Sequence, residues 1–163
     1  MYELIVAMDE KNGIAKNNKI PWYNPTDLKF FKEKTEYNIV IMGRKTFESL
    51  PYRKALKNRL HIVLTRNPND FRNIPNVIFT NDIEHPINYD DYPYLKENPI
   101  KFIIGGGEIF KEYGNICNIW WVTIIKNDYN CDVFFTINNN VDSNKSTVVK
   151  ENEYVKIYKI SYQ

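Results

Sequence analysis

This 163-residue chain has few cysteines, few histidines and a small net charge, and each of these features argues against a class of protein. The two cysteines, Cys117 and Cys131, lack the spacing of a metal site, and neither histidine, His61 or His85, completes one. We therefore expect reduced, structural cysteines and no bound metal. A net charge of +2 is too small to indicate a nucleic-acid surface, and no basic patch is interleaved with the tyrosines.

Long hydrophobic runs are absent as well. No apolar stretch approaches the roughly 20 residues that a membrane-spanning helix needs, so we expect no membrane contact. The first segment, MYELIVAM, has no basic region before its apolar run, which is not the pattern of a signal peptide. The sequence therefore favours a cytoplasmic location and a single domain over residues 1–163.

Short apolar runs alternate with helical patterns along the chain, which is typical of an α/β fold with a largely parallel sheet. Helices are predicted over residues 25–36, after Gly43, and after the glycines at 105–107. Pro86 and Pro93 argue against a regular helix in the segment around them. Strands are predicted at 2–8, 38–42, 59–65, 76–80, 100–104, 119–125 and 153–162, the last as an edge or hairpin strand.

Asp27 stands among aromatic and aliphatic side chains in the segment IPWYNPTDLKFF, residues 20–31. Asn24 and Pro25 have the order of an N-cap and a first helical position, so Asp27 falls at the third helical position. An acid there interacts favourably with the unpaired backbone N–H groups and with the helix dipole. A carboxylate on the same helix face as Phe31 can instead face a pocket, where desolvation raises its pKa. The segment alone leaves capping and catalysis both open.

Three predicted strand ends carry groups that suit a phosphate. The segment IIGGGEIF, residues 103–110, lets the backbone approach a ligand at a helix start, although a plain glycine turn has the same pattern. In MGRKTF, residues 42–47, Arg44 and Lys45 oppose the helix dipole unless an anion is bound. Arg66 follows a third strand. Because ligands collect at the strand ends of open α/β sheets, we expect a phosphorylated nucleotide there.

Four segments, GIAKNNKIPW, DLKFFK, VIMGRKTFESL and FIIGGGEIF, occur in the order and at about the spacing seen in dihydrofolate reductases. The resemblance extends from the first strand to about Phe135 and fades through the C-terminal hairpin. It implies a central, mostly parallel eight-stranded sheet flanked by about four helices. Residues from about 39 to 100 would form an adenosine-binding subdomain inserted in a loop subdomain.

The resemblance also implies an activity, the NADPH-dependent reduction of 7,8-dihydrofolate to 5,6,7,8-tetrahydrofolate, which supplies one-carbon and thymidylate metabolism. By this resemblance Asp27 orients the pterin and promotes protonation of N5, with Trp22 and Thr123 completing the catalytic group. Thr123 would link Asp27 to the pterin amine. Antifolates such as methotrexate or trimethoprim are then expected ligands, nucleic acid is not, and we expect a monomer.

The other site residues follow from the resemblance, position by position. Those implied for the substrate are Ile5, Val6, Ala7, Leu28, Phe31, Lys32, Leu56, Arg59 and Ile104. Those implied for NADPH are Ala7, Ile14, Ile20, Gly43, Arg44, Lys45, Thr46, Leu64, Thr65, Arg66, Ile104, Gly105, Gly106, Gly107, Glu108, Ile109 and Phe110.

Several of these residues have a specific implied role. Arg59 matches the arginine that grips the glutamate α-carboxylate of the substrate, a task that suits a bidentate guanidinium. A pair of arginines at the phosphates favours NADPH over NADH through the 2′-phosphate. Gly105 and Gly106 match a glycine pair joined by a cis peptide. Asp132 matches the acid that steadies a mobile loop, here residues 13–24.

The chain departs from the family pattern at several positions. Ala15 stands where the loop usually has glycine, and residues 56–59, LKNR, replace the usual Leu-Pro-Gly-Arg. Phe110 replaces a tyrosine, and Glu108 would be a poor neighbour for a phosphate. Residues 82–99 do not match the usual helix beside the adenosine site, so no adenine wall is assigned.

Two alternatives share the fold. A pyrimidine reductase of riboflavin synthesis uses the same cofactor, but the tandem of Asp27 with Phe31, and Arg59 aimed at a glutamate tail, argue against it. A non-catalytic nucleotide- or RNA-binding module would not need an intact Asp27, Trp22 and glycine pair. The sequence therefore favours the dihydrofolate reductase interpretation over both.

Overall fold

The computed structural model describes residues 1–51, 54–70, 73–136 and 145–162. The α-helices in these ranges are α1 (Pro25–Thr35), α2 (Arg44–Glu48) and α3 (Gly107–Tyr113). The strands are β1 (Tyr2–Met8), β2 (Gly13–Ala15), β3 (Ile39–Gly43), β4 (Leu60–Leu64), β5 (Val77–Thr80), β6 (Lys101–Gly105), β7 (Ile119–Ile125), β8 (Val133–Phe134), β9 (Ser146–Glu151) and β10 (Val155–Ser161).

One eight-stranded sheet, in the order β5-β4-β3-β6-β1-β7-β10-β9, forms the centre of the fold. Neighbouring strands from β5 to β7 run parallel, and β10 is antiparallel to both β7 and β9. Strands β2 and β8 pair separately as a small antiparallel ribbon. The predicted α/β fold with a mostly parallel eight-stranded sheet is therefore confirmed.

The central strands are buried on both faces, which explains their nearly continuous Val, Ile and Leu runs. On β1, Leu4 and Val6 join one hydrophobic cluster, whereas Ile5 joins the cluster on the opposite face. Phe30 and Phe31 of α1 pack against the Ile5 cluster. Helix α1 therefore lies on the face of the sheet to which the odd-numbered residues of β1 point.

The helix count differs from the expectation of about four, because the described residues contain only three α-helices. Between residues 82 and 99 the chain forms a single short 3-10 turn, Tyr89–Asp91. Pro86 and Pro93 prevent a regular helix there. Side chains of this segment, including Ile83 and Leu95, still pack individually on the core.

Some boundaries also differ. The predicted strand over 153–162 is β10, which confirms the hairpin alternative because it pairs antiparallel with β9, but it lies inside the sheet. The edge is the unpredicted β9, whose Val148 and Val149 are exposed. Strand β2 forms inside a predicted loop. Helix α1 ends at Thr35 because the next residue leaves the helical region, at φ −59° and ψ 136°. The division into two subdomains stays a prediction.

Candidate active site

A cavity of about 850 Å³ crosses the carboxyl ends of β1, β3, β4 and β6, the edge where ligands of α/β sheets collect. Loops, α1 and α3 complete its walls. The sequence-predicted residues in these walls are Ile5, Val6, Ala7, Ile14, Ile20, Asp27, Phe31, Gly43, Arg44, Lys45, Thr46, Leu64, Thr65, Arg66, Ile104, Gly106, Gly107, Glu108, Ile109 and Phe110. One cavity therefore joins most of the residues implied for substrate and for cofactor.

Helix α1 brings Asp27 to this cavity, and its capping leaves the Asp27 carboxylate free for another task. Asn24 is the N-cap, and its side-chain oxygen accepts a hydrogen bond from the Asp27 backbone N–H at 3.0 Å. Pro25 occupies the first helical turn, where its missing N–H costs nothing. The cap is thus supplied by Asn24, while the side chain of Asp27 lies in the cavity wall.

Burial changes the acid strength of Asp27. Desolvation raises its pKa from the ordinary 3.8 to about 6, and a hydrogen bond from the Thr123 side chain opposes this rise only in part. In the described ranges no cation lies within ion-pair distance of the carboxylate. A carboxyl group of this strength exchanges its proton close to neutral pH, which suits general acid chemistry.

The pairing of β1 with β7 brings Thr123 to the acid. Ala7 of β1 is in register with Thr123 of β7, so both residues lie at the same level of the sheet beneath α1. Thr123 is almost fully buried. Trp22 lies outside the cavity wall, where its ring contacts that of Tyr129 with 5.4 Å between centroids. Asp27 therefore contacts Thr123 directly through a side-chain hydrogen bond. Trp22 instead packs against Tyr129 of a neighbouring loop.

Arg59 lies beside the substrate end of the cavity. Its side chain is only 5 % exposed, and its guanidinium carbon is 5.9 Å from the centre of the Phe31 ring. The guanidinium donates hydrogen bonds to the Thr35 hydroxyl and to the Lys57 carbonyl, both at 3.0 Å. Burial lowers the pKa of Arg59, and Glu36 offsets this in part, although no carboxylate of the described residues forms an ion pair with it.

Three further residues implied for the substrate do not line the cavity. Leu28 is 51 % exposed, because adjacent residues of a helix point about 100° apart and its neighbour Asp27 points inward. Lys32 is exposed on α1, and Leu56 is half-buried in the turn before β4. Their implied roles at the substrate stay predictions.

The glycines meet at the cofactor end of the cavity. The Gly105–Gly106 peptide is cis, and Gly105 has φ +129°, a conformation that L side chains rarely adopt. A Cβ at Gly106 would lie 3.2 Å from the Thr46 hydroxyl, and one at Gly43 would lie 3.2 Å from Ile109. The side chains of Thr46 and Ile109 therefore pack against these glycines and leave little room for a Cβ.

The cofactor end carries charges of both signs. Arg44, Lys45 and Arg66 line it, and all three are exposed. Arg44 pairs with Glu48 one helical turn later, with 3.6 Å between Nε and Oε1. Glu108 of α3 lines the same end. Lys45 and Arg66 form no ion pair with any described carboxylate, so both can compensate the charge of an anionic group held there.

Two acids hold the loop that follows β1. The Asp132 carboxylate accepts a hydrogen bond from the Asn17 backbone N–H at 3.0 Å, at the position implied for loop control. Asp9, only 1 % exposed, accepts from the backbone N–H groups of Gly13 at 2.8 Å and Tyr129 at 3.0 Å, and from that of residue 11. Sequence reasoning missed Asp9, although an acid directly after a strand and four residues before a glycine is a signal for such a turn.

Other cavity residues were also missed. They are Ala15, Asn18, Lys19, Ser49, Asn67, Asn81, Glu112, Tyr113 and Val133, of which the first three lie in the predicted mobile loop 13–24 but were not assigned to the site. Asn67 and Asn81 follow β4 and β5 closely, so the strand-end rule could have found them. No group of three metal-ligating side chains occurs in the described part of the chain, and none of its helices has the length and apolar character needed to cross a membrane.

Comparisons with known proteins agree with this arrangement. The family model for dihydrofolate reductase matches residues 1–163. The bifunctional dihydrofolate reductase-thymidylate synthase of Zea mays is 38 % identical over 145 residues, which cover 82 % of this chain but only 28 % of that protein. The chain thus spans little more than a quarter of the bifunctional relatives that it matches.

Two relatives match over most of their own length. The dihydrofolate reductase of Ureaplasma parvum serovar 3 is 34 % identical over 152 residues, which cover 91 % of this chain and 90 % of that protein. The solved structure of dihydrofolate reductase from Enterococcus faecalis complexed with NADP(H) and RAB-propyl has a TM-score of 0.76 and 32 % identity, and the match covers 99 % of this chain and 95 % of that one. The chain belongs to the dihydrofolate reductase family.

Proposed function

We propose that this chain catalyses the NADPH-dependent reduction of 7,8-dihydrofolate to 5,6,7,8-tetrahydrofolate. The observation that carries the proposal is the buried carboxyl group of Asp27, whose pKa is raised to about 6 at the apolar end of a cavity with a basic far end. Such an acid suits a substrate that must be protonated as it is reduced. The product would serve one-carbon and thymidylate metabolism.

The residues at the far end fit NADPH. The glycine turn at 105–107 has no side chain that would obstruct a close backbone approach, and three cations, Arg44, Lys45 and Arg66, face the same space. Two arginines favour the 2′-phosphate of NADPH over the free hydroxyl of NADH. The solved Enterococcus faecalis relative was complexed with NADP(H), which supports this cofactor. When bound, NADPH supplies the hydride.

At the other end the chain's own residues orient the pterin. We assign the Asp27 carboxyl group to the pterin ring nitrogen and amine, and the hydrogen bond of the same carboxyl group with Thr123 supports this role. The side chains of Ile5 and Phe31 form apolar walls that exclude water beside it. With its raised pKa, Asp27 can hold the proton that N5 must receive. Catalysis then consists of positioning together with one tuned acid.

Arg59 provides the contact for the substrate tail. It is a buried cation without an ion-pair partner among the described residues, and it lies next to Phe31 at the substrate end. A carboxylate ligand would supply the missing charge and use the donors that Thr35 and Lys57 leave unoccupied. Antifolates that carry a pterin-like ring, such as methotrexate and trimethoprim, should occupy the Asp27 end.

We further propose that the protein is a cytoplasmic monomer.

The test is NADPH consumption with dihydrofolate, measured across pH for wild type and for Asp27→Asn. Wild-type turnover should fall as pH rises through the pKa of Asp27, because the protonated carboxyl group is the active form. At about pH 7 the variant should lose at least about 100-fold in kcat, the usual contribution of a positioned acid. Asp90→Asn, in an exposed turn outside the cavity, is the matched control.

Each other outcome points to a different conclusion. An Asp27→Asn variant that works as well as wild type would reduce Asp27 to a structural role and leave the reaction without its acid. A wild type that binds NADPH but does not reduce dihydrofolate would require the pyrimidine substrate of riboflavin synthesis to be tested. Weak methotrexate binding with tight RNA binding would support a non-catalytic module.

A further inference from the structure

His61 is completely buried in β4, and both nitrogens of its imidazole ring are used. Nε2 lies 2.9 Å from the backbone nitrogen of Leu56, and Nδ1 lies 3.1 Å from the carbonyl oxygen of Arg59. The ring therefore bridges the first and last residues of the turn 56–59. No part of the proposed reaction uses this histidine.

The two partners determine the tautomer of His61. A backbone N–H can only donate, so Nε2 must accept from Leu56 and carries no proton. A carbonyl oxygen can only accept, so Nδ1 must carry the proton and donate to Arg59. Burial accordingly lowers the pKa of His61 to about 4, and the imidazole stays neutral at physiological pH. An imidazolium would direct a second N–H at the N–H of Leu56.

The bridged turn holds the base of the Arg59 side chain. Its sequence, LKNR, contains neither the proline nor the glycine that would set the backbone by itself, and Asn58 has a left-handed φ of 59°. The Asn58 carbonyl accepts a hydrogen bond from the Tyr37 backbone N–H at 2.7 Å. The Arg59 guanidinium in turn bonds Lys57, inside the same turn. A change in the turn therefore moves the guanidinium.

We propose that His61 is a positioning residue for the substrate tail: it clamps the turn 56–59 and thereby aims the Arg59 guanidinium at the tail carboxylate. This inference rests on the proposed function, since it requires a substrate with such a tail. The tail is remote from the reacting ring, so the loss of the clamp should raise KM and leave kcat nearly unchanged. The kinetic constants for a substrate without the tail should not change when the clamp is lost.

The experiment compares two substrates, dihydrofolate and 6-methyl-7,8-dihydropterin, which has no tail. His61→Leu fills the site without donor or acceptor. It should raise KM for dihydrofolate about 10-fold, with kcat within about 2-fold and kcat/KM for the tail-less pterin within about 2-fold of wild type. His61→Gln, which offers one donor and one acceptor, should recover most of the lost affinity.

Two controls separate positioning from general damage. Val40 is fully buried and in register with His61 on the neighbouring strand, so Val40→Ala tests a core defect without loss of the clamp. It should lower thermal stability while KM for both substrates stays near wild type. In an Arg59→Ala background, His61→Leu should raise KM by less than about a further 2-fold, because the effects of substituting residues that act through one another are not additive.

The outcomes that overturn the inference are distinct from those that overturn the proposed function. Equal losses on both substrates, or a full 10-fold effect of His61→Leu in the Arg59→Ala background, would overturn the positioning role alone. A wild type that does not reduce dihydrofolate would overturn both. If His61→Leu does not fold, His61→Met, which also has no N–H donor and only a weak acceptor, replaces it, with the same selective rise in KM expected and an equal loss on both substrates again refuting the role.

Discussion

Replacing Asp27 by asparagine should stabilise the fold of this protein while it removes the proposed activity. Burial raises the pKa of Asp27 to about 6 from the ordinary 3.8. A tenfold change in proton affinity corresponds to about 1.4 kcal/mol, so at about pH 8 the ionised carboxylate should cost the folded state about 3 kcal/mol. Asparagine has no charge to desolvate and removes this cost.

The dependence on pH follows from the direction of the pKa change. The folded state binds the proton more tightly than the unfolded state, so wild type is favoured at low pH and loses this stability as pH rises from about 4 to about 6. The advantage of Asp27→Asn should therefore grow with pH. Between about pH 5 and about pH 8 the growth should be about 1.4 kcal/mol.

Urea unfolding of wild type and variant at these two pH values measures the effect directly. Asp90→Asn controls for the exchange of a carboxylate for an amide at an exposed position. The reasoning fails if Asp27→Asn is no more stable than wild type at about pH 8, or if its advantage is the same at both pH values. Either result would mean that the carboxylate finds compensation in the fold.

Three other substitutions should change stability for reasons of backbone and packing. Gly13→Ala would place a Cβ in steric overlap with the Cys131 side chain, so urea unfolding should show a loss of about 2 kcal/mol, and unchanged stability would contradict the close approach. Tyr37→Asn should add about 1 kcal/mol in the same assay, because φ 65° suits asparagine better than an aromatic residue, and a loss would show that the ring contributes more than the backbone strain. At Asp9, burial alone would raise the pKa of the carboxyl group, but hydrogen bonds from backbone N–H groups, including those of Gly13 and Tyr129, outweigh burial and lower it. Asp9→Asn should therefore lose about 2 kcal/mol of unfolding free energy near neutral pH and less at acidic pH. A loss that does not depend on pH would refute the role of the charge.

Much of the fold is encoded in short patterns, which is why it could be predicted from the sequence. The IVIM and LHIVL runs identify strands buried on both faces, and Asn24 with Pro25 marks the start of α1. Strand β9 escaped prediction because its Val148 and Val149 are exposed at the edge of the sheet, where its pairing with β10 decides its structure. Local patterns do not encode such pairing.

The residues of the site also divide into those that local sequence identifies and those that depend on contacts between distant segments. Asp27 could be singled out because an acid among aromatic residues is unusual, but Thr123 was identified only by resemblance to the family. Its place beside Asp27 depends on the register between β1 and β7, which no single segment specifies. The role of Asp9 also depends on contacts with residues far apart in the chain. Among the described residues the resemblance led to one helix too many, whereas Pro86 and Pro93 had correctly argued against a regular helix in their segment.

The Asp27 carboxyl group in the cavity wall and the buried Arg59 guanidinium beside it together favour one orientation of a substrate. Burial raises the pKa of the Asp27 carboxyl group despite its bond to Thr123, and burial lowers the pKa of the Arg59 guanidinium despite the charge of Glu36. Asp27 and Phe31 are one turn apart on α1, and the Arg59 guanidinium carbon lies 5.9 Å from the centre of the Phe31 ring. A ligand with hydrogen-bond donors at one end and a carboxylate at the other satisfies Asp27 and Arg59 in a single orientation, whereas the reversed ligand would bring like charges together. Dihydrofolate has this polarity, so under the proposed function the burial that raises the pKa of Asp27 also favours the orientation in which the pterin faces the cofactor.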